Sequence, residues 1–261
     1  MSLHTTLVDG DGPAVVFLHG LFGQGKNFAT AAKSLAPGRR SLLVDLPDHG
    51  QSPWTDGVDY VRMADAVAQA AQAVLPGERF ALVGHSMGGK VAMVLALRHP
   101  QLVERLVVVD IAPSRSGGMS TFTHLLDALA GLDLKTLERR GDADRALTEQ
   151  IPSPGVRGFL LQNLRERDGR WAWRANLDLL RRDLPVIGGF PEGLEEHPYE
   201  GPVLWVAGER SDYVLPEHTP AMRALFPRVR KVTVKGAGHW VHSEQPAAFL
   251  AVLRAFLDAP A

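Results

Sequence analysis

Cysteine is absent from the 261 residues, which excludes disulfides, thiol nucleophiles and thiolate-held metals. A charge excess of either sign is missing too: 28 Lys and Arg stand against 29 Asp and Glu, a formal net charge of -1. Without a basic or acidic field, neither nucleic acid nor an anionic membrane is expected as a partner. No uncharged apolar run reaches the length of a bilayer span. Met1 to Thr6 lacks the basic stretch and apolar core of a signal peptide, so the chain reads as soluble and cytoplasmic. Repeats and low-complexity tracts are also missing. What is present is 45% hydrophobic residues and 22% charged ones. That balance suits one large α/β domain, or a core carrying an inserted subdomain.

The apolar residues fall in short continuous runs: Ala14 to Leu18, Ser41 to Leu46, Phe80 to Val83, Val103 to Ile111, Pro202 to Val206 and Arg230 to Val234. Such runs are the mark of strands buried on both faces. Leu3 to Val8 reads as a short edge strand. Helical patterns lie between them, the clearest at Asp59 to Leu75, where Met63, Val67, Ala70 or Ala71 and Val74 share one face. Alternating strands and helices predict a mostly parallel, doubly wound α/β sheet. Residues 114–200 break the alternation. Helix-like stretches at Phe122 to Ala130, Leu134 to Arg139, Ala143 to Ile151, Gly155 to Leu164 and Trp173 to Leu184 predict a helical lid or cap inserted into a core of 1–113 and 201–261.

Chemistry concentrates where strands end. Gly84-His85-Ser86-Met87-Gly88 follows a strand and opens a helix. Chance supplies a Gly-x-Ser-x-Gly in roughly one chain in ten of this length. In a strand-turn-helix setting, however, it is a nucleophile elbow that projects the serine hydroxyl. A serine needs a base to take its proton. His239 sits behind Gly236-Ala237-Gly238, a loop able to fold back over the sheet edge, and is preferred to His242. An acid must then orient the imidazole. Asp110 and Asp212 both follow strands and both keep the order Ser, Asp, His. The oxyanion calls for two N–H donors: Met87, next to the serine, and Leu21 in the His19-Gly20-Leu21-Phe22-Gly23 loop. His19, His49 and Ser52 read as residues that tie turns together.

Gly84-His85-Ser86-Met87-Gly88-Gly89, His19-Gly20, the Asp45…Gly50-x-Ser52 turn and Gly236-x-Gly238-His239 together resemble the α/β-hydrolase superfamily. More narrowly, Gly88-Gly89-Lys90, Val109-Asp110-Ile111-Ala112-Pro113 and Gly238-His239-Trp240-Val241-His242 are similar to a group of small bacterial carboxylesterases related to mitochondrial abhydrolase-domain proteins. In the insertion, only Phe159-Leu160-Leu161-x-Asn163-Leu164 and Trp173-Arg174-x-Asn176-Leu177 take part. Most of the superfamily carries its acid in a Gly-x-x-Asp loop. Here that loop is Gly208-Glu209-Arg210-Ser211, with Asp212 one position late. The narrower group carries an acid after the preceding strand, so the resemblance implies Asp110, with Asp212 as the alternative.

The resemblance implies a serine esterase acting on small-molecule acyl esters, possible thioesters included, with no cofactor and no metal. Phe22, Met87 and Trp240 are candidates to line the acyl pocket. Trp171, Trp173, Phe122, Phe159 and Phe190 are expected mainly in the core of the cap. Carbon–carbon bond hydrolases and perhydrolases share the serine, and a ligand-binding relative with weak turnover is the non-enzymatic alternative. Monomer and dimer stay equally open.

Overall fold

The structure, a computed structural model, describes every residue except 118, 195 and 261. Seven strands form one sheet in the order β1-β3-β2-β4-β5-β8-β9: β1 (Thr5–Val8), β2 (Ala14–Leu18), β3 (Arg40–Val44), β4 (Phe80–His85), β5 (Val103–Val109), β8 (Val203–Gly208) and β9 (Val229–Val234). Only the edge strand β1 runs antiparallel, against β3. The central strands β2 and β4 are buried at every residue, which is why their sequences are continuous apolar runs.

The two-residue period of a strand divides the core. Val16, Leu18, Leu82, Leu106 and Val108 point into one hydrophobic cluster. Val15, Phe17, Ala81, Val83, Val107 and Val109 point into the other. Helices α2 (Tyr60–Val74) and α3 (Met87–Arg98) cover the first face. Helix α1 (Ala29–Leu35) and the last helix, Pro246–Leu257, cover the second. Asp59 starts α2 by accepting hydrogen bonds from the N–H groups of Val61 at 2.8 Å and Arg62 at 3.1 Å, as an N-cap should.

Between β5 and β8 the chain leaves the sheet. It forms α4 (Met119–Ala130), α5 (Arg140–Ala146), α6 (Pro154–Leu161), α7 (Leu177–Arg182) and α8 (Leu184–Gly188). Two boundaries differ from the sequence reading. A two-stranded antiparallel hairpin, β6 (Leu164–Arg167) and β7 (Arg170–Trp173), stands where helices were expected to end and begin. Asp168 and Gly169 turn it with φ of 53° and 72°, the backbone that an Asp-Gly hairpin turn requires. Leu134 to Arg139 yields only a short 3₁₀ turn at Leu134–Thr136.

Polar bonds fasten this segment to the core. Asn163, buried, donates to the Phe22 carbonyl at 2.7 Å and accepts from Gln24 at 3.1 Å. The Tyr60 hydroxyl donates to the Ile187 carbonyl at 2.7 Å. No helix among the described residues is long and apolar enough to cross a membrane.

Candidate active site

Ser86 lies at the step from β4 into α3, with φ 53° and ψ -120°. A non-glycine residue rarely holds this conformation, and it persists only where the surroundings enforce it. Here they do. A Cβ on Gly88 would lie 2.3 Å from the His19 carbonyl oxygen, and one on Gly84 2.2 Å from that of Gly88. Strand, elbow and helix therefore pack closer than any side chain allows. The Ser86 N–H donates to the Val109 carbonyl at 3.0 Å, leaving the side chain to face the opposite direction. Its Oγ sits 2.9 Å from His239 Nε2.

His239 bridges two strand ends. Its Nδ1 lies 2.8 Å from Asp110 Oδ2. Asp110 is fully buried and also holds φ 53°. Its Oδ1 accepts the Gly208 N–H at 2.8 Å, and Oδ2 accepts the Ser211 hydroxyl. An ionised carboxylate only accepts, so Nδ1 carries the ring proton and Nε2 offers its lone pair to Ser86. Asp212, the alternative acid, is exposed and makes no hydrogen bond to His239 among the described residues. One residue earlier, Ser211 turns inward instead and supports Asp110.

The two candidate oxyanion donors flank the serine. Leu21 and Met87 are buried, and both line the small cavity at Ser86. Among the described residues, neither N–H meets an acceptor. For Met87 that follows from its place in the first turn of α3, whose N–H groups have no partner within the helix. For Leu21 it follows from how its loop is held. His19 Nδ1–H donates to the Gly20 carbonyl at 2.8 Å, and its Nε2 accepts from Leu46 at 3.0 Å. His49 Nε2 accepts from the Phe22 N–H at 3.2 Å. Both neighbours are tied, and the Leu21 N–H stays open.

Of the three residues expected to line the acyl pocket, Met87 lines the cavity at Ser86, and Phe22 and Trp240 do not. Phe22 is only 1% exposed and packs on Phe122, 6.3 Å between ring centroids. It supports the loop and does not line the cavity. Trp240 packs on His239 at 5.6 Å but borders a separate groove with Phe159 and Val156. The cavity at Ser86 is walled by Ile111, Met119, Phe122, Ile187 and Tyr213 with Lys90 and Ser116, and measures about 20 Å³.

Three polar residues stand out here that motif reading passed over. Lys90 is buried, one helical turn after Ser86. Its ammonium donates to the Gly188 and Gly189 carbonyls, each at 2.7 Å, and to Ser116 at 3.0 Å. Burial pulls its pKa down to about 7, and Arg115 adds to the effect. Glu244 accepts from the N–H groups on either side of His239, Gly238 at 2.9 Å and Trp240 at 3.2 Å. His85 donates from Nε2 to the His239 carbonyl at 2.8 Å. Only the signature of the turn, Gly-x-Gly-His followed by a nearby Glu, could have pointed to one of them.

Buried imidazoles make the fold sensitive to acid. Burial drops His19 to about 3, with His49 beside it adding to the fall. Burial also holds His85 well below its usual value. Unfolding returns both to about 6.5, so the unfolded chain binds more protons below that pH. Stability is full above pH 6.5 and falls as the pH drops below it, by about 3 kcal/mol per pH unit for the two groups together. Urea unfolding between pH 7.5 and 4.5 checks this. Equal midpoints at pH 7 and pH 5 would contradict it.

Comparison with known proteins agrees with this geometry. Residues 13–246 match the model of the α/β-hydrolase fold family. The chain is 42% identical to the sn-1-specific diacylglycerol lipase ABHD11 of Mus musculus, over 98% of this chain and 85% of the mouse protein. It is 31% identical to Esterase YbfF of Escherichia coli (strain K12), over 94% of this chain and 92% of that one. Among solved structures, a marine microorganism esterase superposes with a TM-score of 0.93 at 32% identity, covering 98% of this chain and 99% of that one. A family match across the sheet and identity along nearly the whole chain place this protein in the α/β-hydrolase family, among its carboxylic ester hydrolases.

Proposed function

We propose that the chain is a serine carboxylesterase for short- to medium-chain acyl esters, acting through Ser86, His239 and Asp110. One observation carries this reading: the unbroken run from Ser86 Oγ to His239 Nε2 at 2.9 Å and from His239 Nδ1 to Asp110 at 2.8 Å. Ser86 Oγ attacks the ester carbonyl and gives its proton to His239 Nε2. The Leu21 and Met87 N–H groups receive the charge that develops on the carbonyl oxygen. Asp110 stabilises the imidazolium and keeps its ring orientation. His239 then protonates the leaving alcohol, and a water activated by the same nitrogen releases the acid. A thioester presents the same carbonyl to the same groups and falls within this reading.

The small cavity at Ser86, about 20 Å³ and mostly apolar but for Lys90 and Ser116, supports short acyl groups. Met119 in its wall is the residue best suited to yield to a longer chain, being unbranched and adaptable. The similarity to a diacylglycerol lipase favours a second reading, in which the physiological ester is a diacylglycerol. Nitrophenyl esters from acetate to palmitate, one acyl-CoA thioester and one diacylglycerol, assayed side by side, separate them. The esterase reading expects kcat/KM to peak between acetate and octanoate and to fall at least tenfold by palmitate. A peak at palmitate or at the diacylglycerol would favour the lipase. Hydrolysis of none of them would reject both.

A further inference from the structure

The loop that carries His239 has no regular structure of its own. Residues 237–240 lie between the end of β9 and a one-turn helix, Val241–Glu244. The sheet pairing stops before them, at Val234 opposite Gly208. Yet the imidazole must keep Nδ1 at Asp110 and Nε2 at Ser86 at the same time. A displacement of about 1 Å in such a relay can cost about 10²-fold in rate. The backbone under the ring therefore has to be fixed by other means.

Glu244 supplies them. It is the last residue of the one-turn helix, and its side chain folds back over the loop. One oxygen accepts the Gly238 N–H at 2.9 Å, and the other accepts the Trp240 N–H at 3.2 Å. These residues flank His239, and neither N–H has a backbone acceptor among the described residues. Hydrogen bonds to an ionised acceptor are the stronger kind. His85 donates to the His239 carbonyl at 2.8 Å. The peptide that leaves His239 is thus held at both ends, its carbonyl by His85 and its N–H by Glu244.

The turn after β8 backs this hold. Arg210 donates to Glu244 at 3.2 Å and to the Gly236 carbonyl at 2.7 Å. Its own N–H donates to the Ala237 carbonyl at 2.9 Å. Glu209 accepts the Gly236 N–H at 2.8 Å, and Ser211 donates to Asp110. Three consecutive residues therefore serve the relay, two at the base loop and one at the acid. The Arg210–Glu244 pair is too open to matter much for folding: the two side chains are 64% and 30% exposed, and such pairs add little stability. We propose that Glu244 is a positioning residue for His239, with Arg210 as its brace. The inference rests on the Ser86–His239–Asp110 reading and adds the groups that align its base.

Three variants of the full chain test it: Glu244→Ala, Glu244→Gln and, on the exposed partner, Arg210→Met. Each is compared with the parent by kcat and KM on 4-nitrophenyl acetate and by thermal midpoint. The far-downfield proton resonance of His239 Nδ1–H, assigned by its loss in His239→Gln, is recorded alongside. Glu244→Ala is expected to lower kcat by about 30- to 100-fold with KM within about twofold. It should also broaden or remove the resonance well below its thermal midpoint. Glu244→Gln has one oxygen for two N–H donors and should fall between the alanine variant and the parent. Arg210→Met should lower kcat by about three- to tenfold, and it carries the test if Glu244→Ala does not fold. Parental kcat in Glu244→Ala, or in Arg210→Met where the first does not fold, would overturn the assignment. So would a loss confined to KM, or a lowered kcat with the parental resonance intact. A parent that forms no acetyl-enzyme would instead refute the Ser86–His239–Asp110 reading, and this inference with it.

Discussion

Ser86→Ala is expected to lower kcat on a nitrophenyl ester by about 10⁴- to 10⁶-fold, the range seen when a serine nucleophile is removed from such a relay. The size of the effect follows from what remains. Without Oγ, His239 has nothing to deprotonate except water, and only the Leu21 and Met87 N–H groups still favour the transition state. The fold should not suffer. Among the described residues, the Ser86 side chain bonds only to His239, and the elbow is held by backbone contacts at Gly84 and Gly88. The assay is an initial-rate comparison on protein whose thermal unfolding matches the parent. A variant retaining a tenth of the parent rate would refute the nucleophile.

Asp110→Asn is expected to lower kcat by about 10⁴-fold, with Asp212→Asn staying within twofold of the parent. An asparagine offers one oxygen where the carboxylate serves three donors: the Gly208 N–H, the Ser211 hydroxyl and His239 Nδ1. Its amide hydrogens would face Nδ1 and favour the tautomer that places the proton on Nε2. In that tautomer the imidazole cannot accept from Ser86. Because Asp110 is fully buried, the donor left unpaired should also destabilise the fold by about 1–3 kcal/mol. The same kinetic assay, with a denaturation curve beside it, reads both effects. Full activity in Asp110→Asn, or a crippled Asp212→Asn, would reassign the acid.

These two positions also show where sequence reading reaches and where it stops. The sheet is legible because buried parallel strands must be apolar throughout, as β2 and β4 are. Ser86 is legible because an elbow needs glycines at fixed offsets, a purely local constraint. His239 is legible for the same reason, from the glycines before it. The acid is not local. Choosing Asp110 over Asp212 from residues alone needs the register that sets β5 beside β8, with Val109 opposite Val206. That register brings the Gly208 N–H and Ser211 to a carboxylate about a hundred residues away in sequence.

The directions of the Phe22 and Trp240 rings are hidden from the sequence for a related reason. Adjacency to Leu21 and His239 does not say which way a ring turns. Phe22 has φ 63° and sends its ring into the core, while Trp240 turns toward α6. The β6–β7 hairpin carried a readable Asp-Gly turn, but its charged strands hid it among the helical patterns. Lys90 lies within the elbow motif, yet its burial depends on carbonyls near residue 188 closing over it.

The most direct measurement of the mechanism combines a stopped-flow burst with intact-mass analysis on 4-nitrophenyl acetate. A burst of nitrophenolate approaching one equivalent per chain is expected, with one acetyl group added to the peptide containing Ser86 and none in Ser86→Ala. Steady turnover with no adduct, or an acetyl group on another residue, would contradict it.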